Sequence, residues 1–194
     1  MYQGNPTSRH GLLYGDRFRE YDNLPDDIVI KKNYTDVADR GDDFLCSINY
    51  AVDTSGTCYI TDVVYTNEPM EVTEPIVART IESVDYADIE SNNGGRGFAR
   101  KVMELVRTNV QVLPFTQNGN KESRITTNAA SVLQSVLMPR GWHVLFPDFY
   151  VAVTTYKRKF TANKHDDAPD VLTGIFEKKD EINTGSLIMD YNDL

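Results

Sequence analysis

The segment Asn33–Val52, NYTDVADRGDDFLCSINYAV, reads as a strand that ends in an acid, a polar turn, and a second strand. Asp36 and Asp39 bracket the end of the first strand, and Asp42 and Asp43 follow Gly41. Four carboxylates thus fall within eight residues, and Arg40 alone offsets their charge. Holding like charges together is costly. A divalent cation removes that cost, because hard cations such as Mg²⁺ take oxygen ligands. Taken alone, the segment is also readable as an acidic surface turn. Its company elsewhere in the chain favours the cation.

Upstream, Ile28–Asp36 supplies the whole first strand, and Phe44–Val52 supplies the second. Cys58–Thr66, CYITDVVYT, is a third, rich in β-branched and aromatic residues. The turn residues Asp53–Gly56 make the second and third antiparallel neighbours. A helix follows from about Thr73, with Thr73 as its cap, Pro75 in its first turn and Val77 and Ile81 on its apolar face. Tyr86–Glu90 is a short strand that again ends in an acid. The glycine-rich run SNNGGRG, residues 91–97, leads from it into a helix carrying Phe98 and Val102. Val110–Phe115 is a strand, and Glu122–Leu137 a helix with Ile125, Ala129 and Val132 aligned. Pro147 opens a helix whose Phe149, Val153, Tyr156 and Phe160 share a face, and Asp167 or Asp170 starts the last one. Strands alternating with helices after an antiparallel hairpin predict an α/β domain with a mixed sheet. Residues 1–27 read as a linker or arm, 28–179 as the domain, and 180–194 as a tail.

The chain has 194 residues, enough for one well-cored domain. No apolar run is long enough to span a bilayer. Cys46 and Cys58 are out of register across the expected hairpin, which argues against a disulfide and for a reduced, intracellular protein. Two cysteines and three scattered histidines fall short of a zinc site. The net charge of −9 is unevenly spread: Lys/Arg against Asp/Glu run 7 to 18 in residues 1–95, 11 to 3 in 96–164, and 2 to 8 in 165–194. A basic middle between acidic flanks suits a phosphate-binding face beside a carboxylate cluster, or else solvated helix faces.

Three acidic positions each sit at the end of an element: Asp36, Glu90, and Asp166-Asp167. Acids at the carboxyl ends of neighbouring strands converge on one edge of an α/β sheet. Three or four carboxylates there can hold two divalent ions that activate a water and stabilise the leaving oxygen of a phosphodiester. Each acid also has a plainer reading, as a turn cap, a solvated residue or a helix cap. Together they favour the metal site. Asp170 is a candidate to support it, and His165, beside Asp166, reads equally as a group that orients a water or shuttles a proton and as a solvated cap residue. Lys121 and Arg124, one helical turn apart, together with Arg96, Lys157 and Arg158, are candidates for DNA phosphate contact. No GxxxxGK[ST] motif occurs.

Four stretches carry a resemblance: TDVADRGDD at 35–43, ADIESNNGGRGFAR at 87–100, NKESRI at 120–125 and KHDDAPDVLTGI at 164–175. In this order and spacing they resemble the nuclease domain of the tailed-bacteriophage terminase large subunit, over roughly residues 30–178. The resemblance implies a ribonuclease H-like mixed sheet, with its first three strands antiparallel and later ones parallel, flanked by helices. It implies an endonuclease that uses Mg²⁺ or Mn²⁺ at a two-ion site to cut concatemeric viral DNA during packaging in the bacterial cytoplasm. Asp36, Glu90 and Asp167 become the metal ligands, Asp166 joins them as a catalytic acid, and Asp43 becomes a supporting acid. Its partners are double-stranded DNA, a packaging ATPase domain joined through a segment like GLLYGDRF at 11–18, the portal and the small terminase subunit. The missing ATPase motif makes the chain an excised domain or a fragment in this reading. A junction-selective resolvase of the same fold, and a non-catalytic docking module, are the alternatives.

Overall fold

A computed structural model describes residues 11–38, 43–92 and 95–181. Asp39, Arg40 and Asp42 of the acidic turn, Asn93-Gly94 of the glycine run, and residues 182–194 of the expected tail lie outside the described residues. Among those described, the strands are β1 (Arg19–Tyr21), β2 (Ile28–Asp36), β3 (Leu45–Asp53), β4 (Cys58–Thr66), β5 (Tyr86–Glu90), β6 (Gln111–Phe115) and β7 (Val136–Pro139). The α-helices are α1 (Met70–Thr80), α2 (Gly95–Leu105), α3 (Lys121–Ser135), α4 (Trp142–Leu145), α5 (Pro147–Thr154) and α6 (Asp167–Lys178). The strands form one seven-stranded sheet in the order β1-β7-β4-β3-β2-β5-β6. β3 is antiparallel to both its neighbours, and every other pairing is parallel, so β3 alone runs against the other six. This is the ribonuclease H-like mixed sheet.

Each face of the sheet buries an apolar layer. On one side, Val77 and Ala78 of α1 and Phe98, Ala99 and Val102 of α2 pack on Ala87 and Ile89 of β5. On the other, α3, α5 and α6 bring Ile125, Val132, Val153, Val171 and Ile175 onto Tyr34, Ile48, Tyr50 and Ile60. Beneath α1, β2 and β3 meet through buried polar groups instead. Asn33 Nδ2 donates to Ser47 Oγ at 2.9 Å and to Asn49 Oδ1 at 2.8 Å, and Asn49 Nδ2 donates to the Thr80 carbonyl at 2.8 Å. The pairs Asn33–Asn49 and Thr35–Ser47 lie directly opposite each other, so a slip in register would orphan every member of the network. That network secures the register of the strand ending at Asp36.

Four expectations need correction. The supposed arm is docked for its described part: β1 pairs with β7, and Leu13, Tyr14 and Phe18 are core residues. The helix expected to run to Leu137 stops at Ser135, and Val136–Pro139 turns into β7 because free edges at β4 and β1 can pair with it. The helix opened by Pro147 ends at Thr154, not Phe160, because the backbone beyond it pairs with the docked arm: Leu13 N–H donates to Tyr156 O at 2.8 Å and Arg158 N–H to Gly11 O at 2.9 Å. α1 begins at Met70, a turn before Thr73, leaving Pro75 inside it. The cysteines are free and buried, with Cys46 opposite Tyr65 and Cys58 opposite Val52. No helix of the described residues is long and apolar enough to cross a membrane.

Candidate metal centre

The parallel pairing of β2 with β5, Thr35 opposite Ile89, ends the two strands together and sets Asp36 beside Glu90. α6 supplies the third acid through one close approach. A Cβ on Gly174 would lie 2.3 Å from the Tyr34 ring, so only glycine lets the helix lie against β2 there. Four residues of helix rise about 6 Å and two residues of strand about 6.6 Å. With Gly174 seated on Tyr34, Asp170 one turn earlier therefore arrives beside Asp36, two residues on. One carboxylate oxygen each from Asp36, Glu90 and Asp170 lies within 4.8 Å of the others.

These acids line a cleft of about 320 Å³ with Asp43, Asp167, Asn92, Lys121 and Arg124. Glu90 Oε1 accepts from Asn92 Nδ2 at 2.8 Å, while its buried Oε2 has no hydrogen-bond partner among the described residues. A Cβ on Gly95 would sit 2.1 Å from the Glu90 carbonyl oxygen, so the first position of α2 admits only glycine. Asn120 caps α3, its Oδ1 accepting from Ser123 N–H at 2.9 Å, and so holds Lys121 at the cleft. Lys121 Nζ lies 3.4 Å from Asp36, 3.1 Å from Asp166 and 3.3 Å from Asp170. Arg124 bridges Asp170 at 2.9 Å and Glu177 at 2.7 Å.

The electrostatics follow from burial. It pushes the carboxyl groups of Asp36, Glu90, Asp167 and Asp170 up, Asp36 well above the usual range, and Lys121 opposes it in all four. Burial alone would pull the Lys121 ammonium down, but Asp36, Asp170 and Asp166 outweigh it and push it up. The cleft is thus short of positive charge even with Lys121 in it, and its donors are all oxygen. An orphaned, buried Glu90 Oε2 in an all-oxygen set fits a hard divalent cation.

The expected residues divide accordingly. Asp36 and Glu90 sit together, and the third carboxylate of the tight group is Asp170's rather than Asp167's. Asp167 and Asp43 line the same cleft, and Asp166 is held by Lys121. His165 packs edge-on to Phe44, ring centroids 5.0 Å apart, and lines a neighbouring cleft instead. Lys121 and Arg124, read as phosphate contacts, turn onto carboxylates. Arg96, Lys157 and Arg158 are exposed, Arg96 in the first turn of α2 and the other two beyond α5. Lys121 as counter-ion was not foreseen in the sequence. Asp170 was readable as more than a supporting acid: it stands four residues before Gly174 on one face of a helix, and a glycine there marks the face that packs closest.

No protein-family model matches the sequence, and no curated protein sequence matches it. Solved structures do match. The phage P22 large terminase nuclease domain superposes with a TM-score of 0.64 at 14% identity, over 87% of this chain and 93% of that one. The human cytomegalovirus terminase nuclease domain, soaked with manganese and inhibitor-bound, gives 0.62 at 12% identity, over 88% and 96%. The large terminase of a thermophilic bacteriophage gives 0.59 at 10%, over 86% of this chain but 45% of that one. In its fold, the chain is similar to the ribonuclease H-like nuclease domains of viral terminases.

Proposed function

We propose that the chain is a divalent-metal-dependent DNA endonuclease, cutting concatemeric DNA as the nuclease part of a phage packaging terminase. The observation that carries this is the meeting of Asp36, Glu90 and Asp170 within 4.8 Å at one sheet edge, with Glu90 Oε2 left unpartnered among the described residues. Asp36, Glu90 and Asp170 would hold Mg²⁺ or Mn²⁺, with Asp167 on the cleft wall as a further carboxylate for a second ion. Bound there, the ions supply an activated water and neutralise charge on the phosphate. The chain's own part is to hold the acids in place. β2 and β5 fix Asp36 and Glu90, Gly174 seats Asp170, and Asn92 orients Glu90. Lys121 neutralises the acids before ions arrive and offers an ammonium to the phosphate once they compete for its carboxylates. Double-stranded DNA is the substrate in this reading. A packaging ATPase, the portal and the small terminase subunit are the implied partners in the bacterial cytoplasm.

Plasmid nicking in Mn²⁺ tests it. Glu90→Gln and Asp170→Asn should each abolish nicking with the far-ultraviolet circular dichroism unchanged. Full activity in either variant refutes the assignment of that acid. Calorimetric Mn²⁺ binding that survives both variants unchanged refutes the site.

A further inference from the structure

A second cleft, of about 720 Å³, shares a wall with the acidic one. The chain passes directly between them at two points: Asp43 lines the acidic cleft and Phe44 the other, and Asp167 lines the acidic cleft while His165 lines the other. Consecutive Cα atoms are about 3.8 Å apart, so the partition at Asp43-Phe44 is one residue thick.

The second cleft is built on an aromatic ledge. Phe44 stacks on Tyr65, with ring centroids 4.7 Å apart and planes inclined by 17°, and His165 meets Phe44 edge-on. Tyr65 packs against the core, but Phe44 belongs to neither core cluster. It is a large aromatic held half-exposed over a cleft, not used to fill the interior. Lys157 and Lys164 stand on the wall with one lining carboxylate, Asp148, while Asp166 and Asp167 act on Tyr65 from across the partition, and Arg158 and Lys159 are exposed next to the lysines. An aromatic face with cations around it suits stacked bases strung on phosphates, and it suits them without regard to sequence. An apolar peptide would leave the lysines unmatched.

We propose that this cleft binds a single-stranded stretch of DNA flanking the scissile phosphodiester, with an unpaired base stacked on Phe44 and the adjoining phosphates held by Lys157 and Lys164. The proposal rests on the nuclease reading for its direction, since a strand with a phosphate at the acids runs next past Phe44. It gives Lys157 the phosphate role expected from the sequence, and it makes strand separation at the cut part of substrate binding.

The test uses the whole chain in EDTA, so that no strand is cut. Fluorescence anisotropy is read with a labelled oligothymidylate of about ten nucleotides and with a duplex of equal length. Phe44→Leu should weaken single-strand binding about tenfold, and Phe44→Tyr should restore it. Lys157→Ala with Lys164→Ala should flatten the logarithmic salt dependence by about 1.4. In the native chain, 2-aminopurine placed within the oligonucleotide should be quenched on binding, a readout that needs no variant to fold. Unquenched 2-aminopurine, native-like affinity in Phe44→Leu, or an unaltered salt slope would overturn the proposal. Stacking without any Mn²⁺-dependent nicking would sink the nuclease reading alone. Nicking with none of the three binding effects would sink only this cleft.

Discussion

Asp36→Asn should stabilise the metal-free protein while destroying its activity. The Asp36 carboxylate has an oxygen within 4.8 Å of oxygens of Glu90 and of Asp170. At an effective dielectric of about 20, each such repulsion is at least ~3.5 kcal/mol. Lys121 Nζ, 3.4 Å away, returns about 5 kcal/mol at the same dielectric. Repulsion therefore exceeds attraction by about 2 kcal/mol, before the cost of burying the charge is counted. Lys121 keeps Asp166 and Asp170 as partners in the variant, so the substitution strands no cation. With all three acids ionised the expected gain is about 2 kcal/mol, or about 4–8 °C in melting temperature for a chain of this size, and it shrinks wherever the raised Asp36 carboxyl keeps its proton. Thermal unfolding in EDTA from pH 7 upward, followed by circular dichroism, reads it directly. The pH sign is fixed by the raised carboxyl groups. The folded chain holds protons that the unfolded chain has released, so native stability is fullest below the ordinary carboxylate range and falls as pH rises through the raised values. The advantage of Asp36→Asn should accordingly be absent in acid and grow as pH increases. Mn²⁺ should raise the melting temperature of the native chain and leave the variant's where it is. A variant less stable than the native protein in EDTA at pH 7 would refute the electrostatic argument.

Three further outcomes follow from close contacts. Gly95→Ala sets a Cβ against the Glu90 carbonyl and should cost about 1–3 kcal/mol in urea unfolding and weaken Mn²⁺ binding, whereas Gly97→Ala, which meets open space, should not destabilise. Gly174→Ala drives a methyl into the Tyr34 ring; it should lift the Asp170 end of α6 away and lower Mn²⁺ affinity more than an equally destabilising core substitution does. Lys32 is 1% exposed, lies 3.6 Å from Asp88, and donates to the Lys178 carbonyl at 2.7 Å, while Lys178 Nζ holds the other Asp88 oxygen at 3.3 Å; Lys32→Met therefore leaves Asp88 paired and should cost only about 1–3 kcal/mol in urea unfolding, whereas Lys32→Met with Lys178→Met should cost more than the two singles together.

Much of this arrangement is legible in local chemistry. The strands of the central meander announce themselves by β-branched content and a turn at Asp53–Gly56, and the acids at the ends of β2 and β5 follow from where those strands stop. The glycine run before α2 includes Gly95, a position that needs glycine because a Cβ there would meet the Glu90 carbonyl. By contrast, Val136–Pro139 carries no signal separating it from the helix before it. It is a strand because two partners from distant parts of the chain offer open edges. The arm at residues 11–21 is too irregular to show periodicity, yet Leu13, Tyr14 and Phe18 find a core built by others.

What the sequence alone determined is the central strands, the longer helices and the acids that end or begin them, but not β1, β7 or α4, because propensity, turn chemistry and capping act over a few residues. Which acids meet was settled only in three dimensions. Asp170 joins Asp36 and Glu90 because a helix rests on Tyr34 through a missing side chain at Gly174. Lys121 and Arg124 face carboxylates because α3 and α6 pack side by side on one face. Pairings of that kind depend on distances between segments far apart along the chain; a glycine four residues after Asp170 signals a close approach but does not name the strand that makes it.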